Sequence, residues 1–231
     1  MLYEWKLDGE VRNLGDALGE FLVPREYKSD SDNMYFPIGS VICNEVMDET
    51  LRQGYRPVFI DCGWRRTPLD QRLTSQCKFV GSRGPLTRRA LKNVGVHVDV
   101  TLDSAYRIPS IIEKGNYHGK RIFVPHILDP KRLRYSPQSI GVDEIIQPVV
   151  TNKISIVDMV KKISGASFVF AGAMHAGILA HAYGVPFGLA SIGYVNCPSK
   201  YDDWLQSIEV TSTGFYMHAK DAERWWLRNV S

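Results

Sequence analysis

The stretch that most constrains this chain is residues 168–188, FVFAGAMHAGILAHAYGVPFG. Phe168, Val169 and Phe170 make a short apolar, β-prone run between Gly165 and Ala171-Gly172, which predicts a buried strand. The Ala-, Met- and Leu-rich segment after it favours helix, and Gly184 and Pro186 stop that helix before a further strand. Ala176, Ala180 and Ala182 keep side-chain bulk low, so the helix can lie close against a sheet. His175 then falls in the first turn of a helix that follows a strand. In open α/β sheets anionic ligands collect at such places, because unpaired backbone N–H groups and the helix dipole point outward. On local pattern alone, a lone histidine there is more often a structural group under the turn.

The same grammar recurs upstream. Tyr35–Ile42 reads as a strand broken at Gly39-Ser40, 57–62 (PVFIDC) as a buried strand running into Gly63-Trp64-Arg65, and 77–81 as a third ending at Ser82-Arg83-Gly84. Pro85 opens a helix, LTRRALKNVG, that stops at Gly95. VHVDVT, 96–101, reads as a fourth strand, followed by Leu102-Asp103-Ser104. Before these, Asn13-Leu14-Gly15-Asp16 is turn chemistry, with Asp16 as cap of a helix over 17–22 or as a carboxylate presented at a loop tip. The polar stretch 25–33 reads as a surface loop, and 111–120 as a linker. The second half predicts a strand at 121–125 with its loop at His126–Asp129, a strand over 144–150, and a helix over 155–163 capped by Ser155.

Strands alternating with crossovers, each ending in a Gly, Ser, Arg or Asp loop, predict an α/β fold with parallel sheets and sites at the carboxyl edges. The expected division is an N-terminal α/β domain over 1–113 and a C-terminal one over 119–231, with a ligand cleft between them. The net charge of +3 carries no run of five basic residues, which excludes a nucleic-acid partner. No apolar run approaches the ~18 residues of a membrane span, and the start MLYEWKLDGEVRN lacks a basic flank leading into an apolar core. Cys43, Cys62, Cys77 and Cys197 form no CxxC pair and the histidines no HExxH, so neither a metal site nor a resident cofactor is expected, and the thiols point to the cytoplasm.

Taken as an ordered set, N-L-G-D, S-R-G-P-L-T, L-D-S-A-Y-R-I-P, V-P-H-I-L-D, A-M-H-A-G-I-L-A-H-A-Y-G-V-P and S-K-Y-D-D-W resemble the polysaccharide pyruvyl transferases, particularly the branch that ketalises bacterial exopolysaccharides. The resemblance runs from about Asn13 to Trp204. It implies two small Rossmann-like domains in a GT-B-like arrangement. It also implies transfer of the pyruvyl group of phosphoenolpyruvate onto a sugar diol, giving a pyruvate ketal and free phosphate. The implied partners are phosphoenolpyruvate and a saccharide or lipid-linked oligosaccharide acceptor, with peripheral membrane association compatible.

By position, Arg83 matches the arginine that contacts phosphoenolpyruvate and His175 the histidine of the second-domain motif. An arginine suits a donor bearing phosphate and carboxylate. Imidazole can deliver or accept the protons of ketal formation, so His126 joins His175 as a catalytic candidate and Asp16 as the group facing the sugar hydroxyl. Asn13, Gly39, Ser40, Gly63, Ser82 and Asp103 are the substrate-binding candidates, with Asp103 also readable as a loop cap. Tyr201 and Trp204 read as a sugar-stacking wall or as core. Two departures from the family pattern stand out: Ala173 where many members have arginine, and Ala176 where glycine is usual. They keep two alternatives open, a GT-B-type glycosyltransferase using a sugar nucleotide and a catalytically weak carbohydrate-binding relative.

Overall fold

The computed structural model describes residues 1–3, 6–7, 11–23, 31–210 and 214–230, for 6–7 as backbone. Most of the polar stretch 25–33 lies outside them. Contacts gather the chain into two compact units that are threaded through one another in sequence: Met1–Glu4, Leu18–Ser104 and Cys197–Thr211 form the first, and Trp5–Ala17, Ala105–Asn196 and Ser212–Ser231 the second.

The first unit is built on three parallel strands, β3 (Asn33–Phe36), β4 (Arg56–Ile60) and β5 (Lys78–Val80), in the order β3-β4-β5. Phe36, Phe59 and Phe79 stack across them at 4.8 and 5.3 Å between centroids. Met34, Ile42, Met47, Cys62 and Leu91 close the core around these rings. Helices α3 (Asn44–Arg52) and α5 (Pro85–Lys92) follow β3 and β5, and Pro85 occupies the start of α5 as its fixed φ favours. Here VHVDVT is extended but is not a ladder strand: among these residues only Val100 bridges, parallel to Ser82. Its apolar residues Val96 and Val98 pack on the core without pairing along it. Likewise the chain from 37 to 42 leaves the sheet after Phe36, and Ile42 meets Trp64 in one isolated bridge.

The second unit centres on a wholly parallel sheet of five strands. These are β6 (Arg121–Val124), β7 (Glu144–Ile145), β9 (Phe168–Ala171), β10 (Phe187–Ala190) and β11 (Phe215–Tyr216), in the order β11-β10-β9-β6-β7. Central β9 and β10 are buried along their whole length, as parallel strands covered on both faces must be. Helix α8 (Met174–Ala182) lies on this sheet with Ala176 and Ala180 buried, and α7 (Lys153–Ser164) packs beside it. An antiparallel trio, β1 (Lys6–Leu7), β2 (Val11–Asn13) and β8 (Val149–Val150), completes the unit.

Three local expectations are corrected. The single strand over 144–150 is two, β7 and β8, in different sheets, because Pro148 interrupts the run and its carbonyl accepts Leu14 N–H at 3.0 Å. The cap of α7 is Asn152, with Ser155, the third residue of the helix, the partner that completes a capping box. Asp16 lies inside the short helix α1 (Leu14–Ala17) rather than at the start of a helix over 17–22, and α2 (Gly19–Leu22) has Leu18 at its N-cap position without a side-chain cap. Residues 113–120 carry no helix or strand but dock on the second unit, through Gly115 N–H to Ser164 Oγ and His118 N–H to Gly165 O.

Candidate functional site

In the second unit the chain turns over the carboxyl edge of the parallel sheet at three places. After β9, Gly172 and Ala173 both donate backbone N–H to Val124 O, at 2.9 and 3.0 Å, and the chain enters α8 with His175 in the first turn. The His175 ring lies directly over Gly15 of α1. A Cβ built on Gly15 would stand 2.1 Å from its Nδ1, so only glycine admits the ring there. Beside Gly15, Asn13 Nδ2 donates to Asp16 Oδ2 at 2.8 Å. Asn13, Asp16 and His175, separated by about 160 positions in the chain, are thus brought to one corner of one unit.

The second turn follows β6. There His126 Nδ1 accepts Leu128 N–H at 3.1 Å, which leaves a neutral ring its proton on Nε2. The third follows β10, where Tyr194 is 40 % exposed and stands 5.3 Å from the His126 ring. Below them Asp129, buried, accepts Lys131 N–H and Tyr135 O–H at 2.8 and 2.6 Å. Burial and this carboxylate push the Tyr135 phenol upward. On the far end of α8, His181 Nδ1 meets Tyr106 Oη at 3.0 Å, and burial lowers its pKa.

In the first unit the carboxyl edge of β3-β4-β5 collects Gly39, Ser40, Gly63, Ser82, Arg83 and Asp103. Arg83 departs from the expectation of a loop-tip cation. It is fully buried, its Nη1 donates to Ser40 Oγ at 2.7 Å and its Nη2 pairs with Asp203 at 3.3 Å. The guanidinium lies against Gly63, where a Cβ would sit 2.1 Å from its Cζ. Asp203 comes from α9 (Pro198–Ser207) and also accepts Leu86 N–H, Thr87 N–H and Thr87 Oγ1–H, at 2.9, 3.0 and 2.6 Å. It therefore supplies the cap that Gly84, without a side chain, cannot give α5. Thr87 Oγ1 in turn accepts Trp64 N–H at 2.9 Å. Asp203 is the functional-edge residue that sequence reasoning missed. The available signal was a Gly-Pro helix start with no Ser, Thr or Asp before it.

Asp61, at φ 54°, accepts Thr101 Oγ1–H and Ser104 Oγ–H. Asp103 and Ser82 are buried next to this cluster. Tyr201 and Trp204 are buried core rather than a wall, and burial raises the Tyr201 phenol. The four cysteines are free thiols, and burial holds Cys62 well above and Cys77 up at about 12. Among the described residues no helix is long and apolar enough to cross a membrane, and no three His, Cys, Asp or Glu side chains gather as a metal set.

Parallel sheets that place imidazole, carboxylate and amide groups over one carboxyl edge, and an arginine–carboxylate lock over another, define an α/β protein with candidate ligand sites at its sheet edges. The polysaccharide pyruvyl transferase family model matches residues 62–191, more than half of the 231 residues, and the chain belongs to that family. No curated protein matches it.

Proposed function

We propose that the protein transfers the pyruvyl group of phosphoenolpyruvate onto a sugar diol, forming a cyclic pyruvate ketal and releasing phosphate. Family membership supports a transferase, and the observation that carries the reading further is the corner of His175, Gly15, Asn13 and Asp16 at the carboxyl edge of β9. A proton is added to C3 of the enolpyruvyl group, which leaves C2 electrophilic. One sugar hydroxyl bonds to C2 and gives up its proton, the C2–O bond to phosphate breaks, and the second hydroxyl bonds to C2 and loses its proton in turn. Of the two hydroxyl protons one replaces that delivered to C3 and the other leaves with phosphate, so the sum needs no oxidant or reductant.

In this reading His175 supplies the proton or contacts the phosphate, Asp16 with Asn13 receives a sugar hydroxyl, and His126 is the second imidazole. Arg83 enters as a positioning residue, since it is fully buried and its two terminal nitrogens bond Ser40 and Asp203. The acceptor is a saccharide or lipid-linked oligosaccharide of an exopolysaccharide pathway. The reading includes a GT-B-like organisation of the α/β units and a cytoplasmic setting, which the four free thiols support.

The test offers phosphoenolpyruvate with a panel of saccharide diols, reading phosphate release and the new ketal methyl by NMR. Sugar nucleotides are offered in parallel, and nucleotide release from them would select a glycosyltransferase instead. His175→Ala should lower the rate about 10²–10⁴-fold while the protein stays folded. His175→Gln should restore activity only if the role is a hydrogen bond. Full activity in a folded His175→Ala protein would remove the centre of the proposal.

A further inference from the structure

Two arginines bracket Ser40 at the carboxyl edge of the first unit, and they differ in what remains of their charge. Arg83 is fully buried and faces the Asp203 carboxylate. Arg65 is exposed. Its Nε donates to the Ser40 carbonyl at 3.1 Å, and among the described residues its guanidinium makes no ion pair. The Glu45 carboxyl is lowered first by its own backbone hydrogen bond and then by Cys43, with Arg65 a smaller contributor.

The segment that carries Arg65 is fixed along its backbone. Gly63 N–H donates to Gly39 O at 2.9 Å and Ile42 N–H to Gly63 O at 3.1 Å. Trp64 N–H donates to Thr87 Oγ1 at 2.9 Å and Arg65 N–H to Ile42 O at 3.0 Å. Thr87 is itself held by Asp203. The buried arginine, its carboxylate and the threonine therefore set the loop, and the bond from Nε to Ser40 sets the direction of the Arg65 fork. Arg65 lies in the loop that follows the central strand β4, on the carboxyl side of the sheet, where a ligand of such a sheet is bound. A guanidinium so ordered loses little freedom on forming a bidentate contact with phosphate or carboxylate.

We infer that Arg65 is the anion-binding arginine of this edge and takes a phosphate- or carboxylate-bearing ligand there. The inference rests on the donor reading above only for phosphoenolpyruvate as the probe, and its physical content is a phosphate-type anion held by Arg65. Arg66, the next residue, is the internal control: it is also exposed, at φ 64°, and lies 3.9 Å from Asp202.

The experiment measures binding of phosphoenolpyruvate and of inorganic phosphate to the full chain by calorimetry, with the thermal midpoint recorded on each sample. Arg65→Gln should weaken phosphoenolpyruvate binding tenfold or more, as loss of a charge-assisted contact requires, with the midpoint unchanged. Arg65→Lys should fall between the two, and Arg66→Gln should bind as the unaltered protein does. Equal binding by Arg65→Gln, or equal losses in Arg65→Gln and Arg66→Gln, overturns the inference, as does an unaltered protein that binds neither probe. Phosphate binding that depends on Arg65 in a protein that never turns over phosphoenolpyruvate keeps the inference and sinks the donor reading.

Discussion

At the scale of single residues, the contact between Gly15 and His175 is the sharpest constraint in the second unit. Helix-forming sequence would welcome alanine at position 15, since glycine inside a helix costs roughly 1 kcal/mol relative to it. The ring of His175 forbids that exchange, because the added methyl carbon would stand 2.1 Å from Nδ1. Gly15→Ala must therefore push the imidazole off its seat or shift α1, and overpacking of that kind costs about 1–3 kcal/mol. If His175 is catalytic, the variant should lose activity out of proportion to this, with a chemical-denaturation midpoint only modestly lower. Unchanged turnover in Gly15→Ala would mean that the ring position seen here is immaterial to the chemistry. His175 was legible in the sequence because a strand, a small-residue turn and a helix announce the position. Gly15 as its seat was not, because the two are about 160 positions apart and glycine beside asparagine and aspartate reads as turn chemistry.

The helices and strands show where pattern serves and where it fails. Strands β4, β5, β6, β9 and β10 and helices α5 and α8 follow from apolar runs, Pro85 and Gly184, since each is decided by neighbours in sequence. Residues 96–101 fail because a β-branched alternation fits any half-buried extended chain and does not guarantee a ladder partner. Helix α5 shows the same limit at its start: its N-terminal donors are taken by Asp203, more than a hundred positions on. That carboxylate also neutralises buried Arg83. Asp203→Ala should thus cost about 3–5 kcal/mol, the range for stranding one member of a buried ion pair. Replacing both partners, Arg83→Met with Asp203→Leu, should recover part of this but not all, because Leu86 and Thr87 N–H stay without an acceptor. Urea unfolding of the two singles and the double closes the cycle. A single-variant loss near zero would show that Arg83 is not desolvated in solution.

For the molecule as a whole, the order of the chain and the order of contacts differ. Residues 5–17 join the second unit, and 197–211 return to the first before 212–231 add the last part of the second. A division read along the sequence at 113–119 follows composition, and composition carries no trace of a helix that comes back. The consequence is testable on fragments. A chain of residues 1–113 contains every strand of the sheet β3-β4-β5, and its length of roughly a hundred residues is ample for a domain. It lacks α9, however, so Arg83 loses Asp203 and the N–H groups of Leu86 and Thr87 lose their cap. The loss of the ion pair alone, at about 3–5 kcal/mol, takes a large share of the 5–15 kcal/mol by which domains are stable. The fragment 1–113 should therefore unfold without a cooperative transition in urea. The same fragment carrying residues 197–211 on a flexible Gly/Ser linker should regain one, and the Asp203→Ala change should abolish that gain. Cooperative unfolding of 1–113 by itself, with the steep denaturant dependence of a packed domain, would show that the returning helix is an accessory and that the first unit is complete without it.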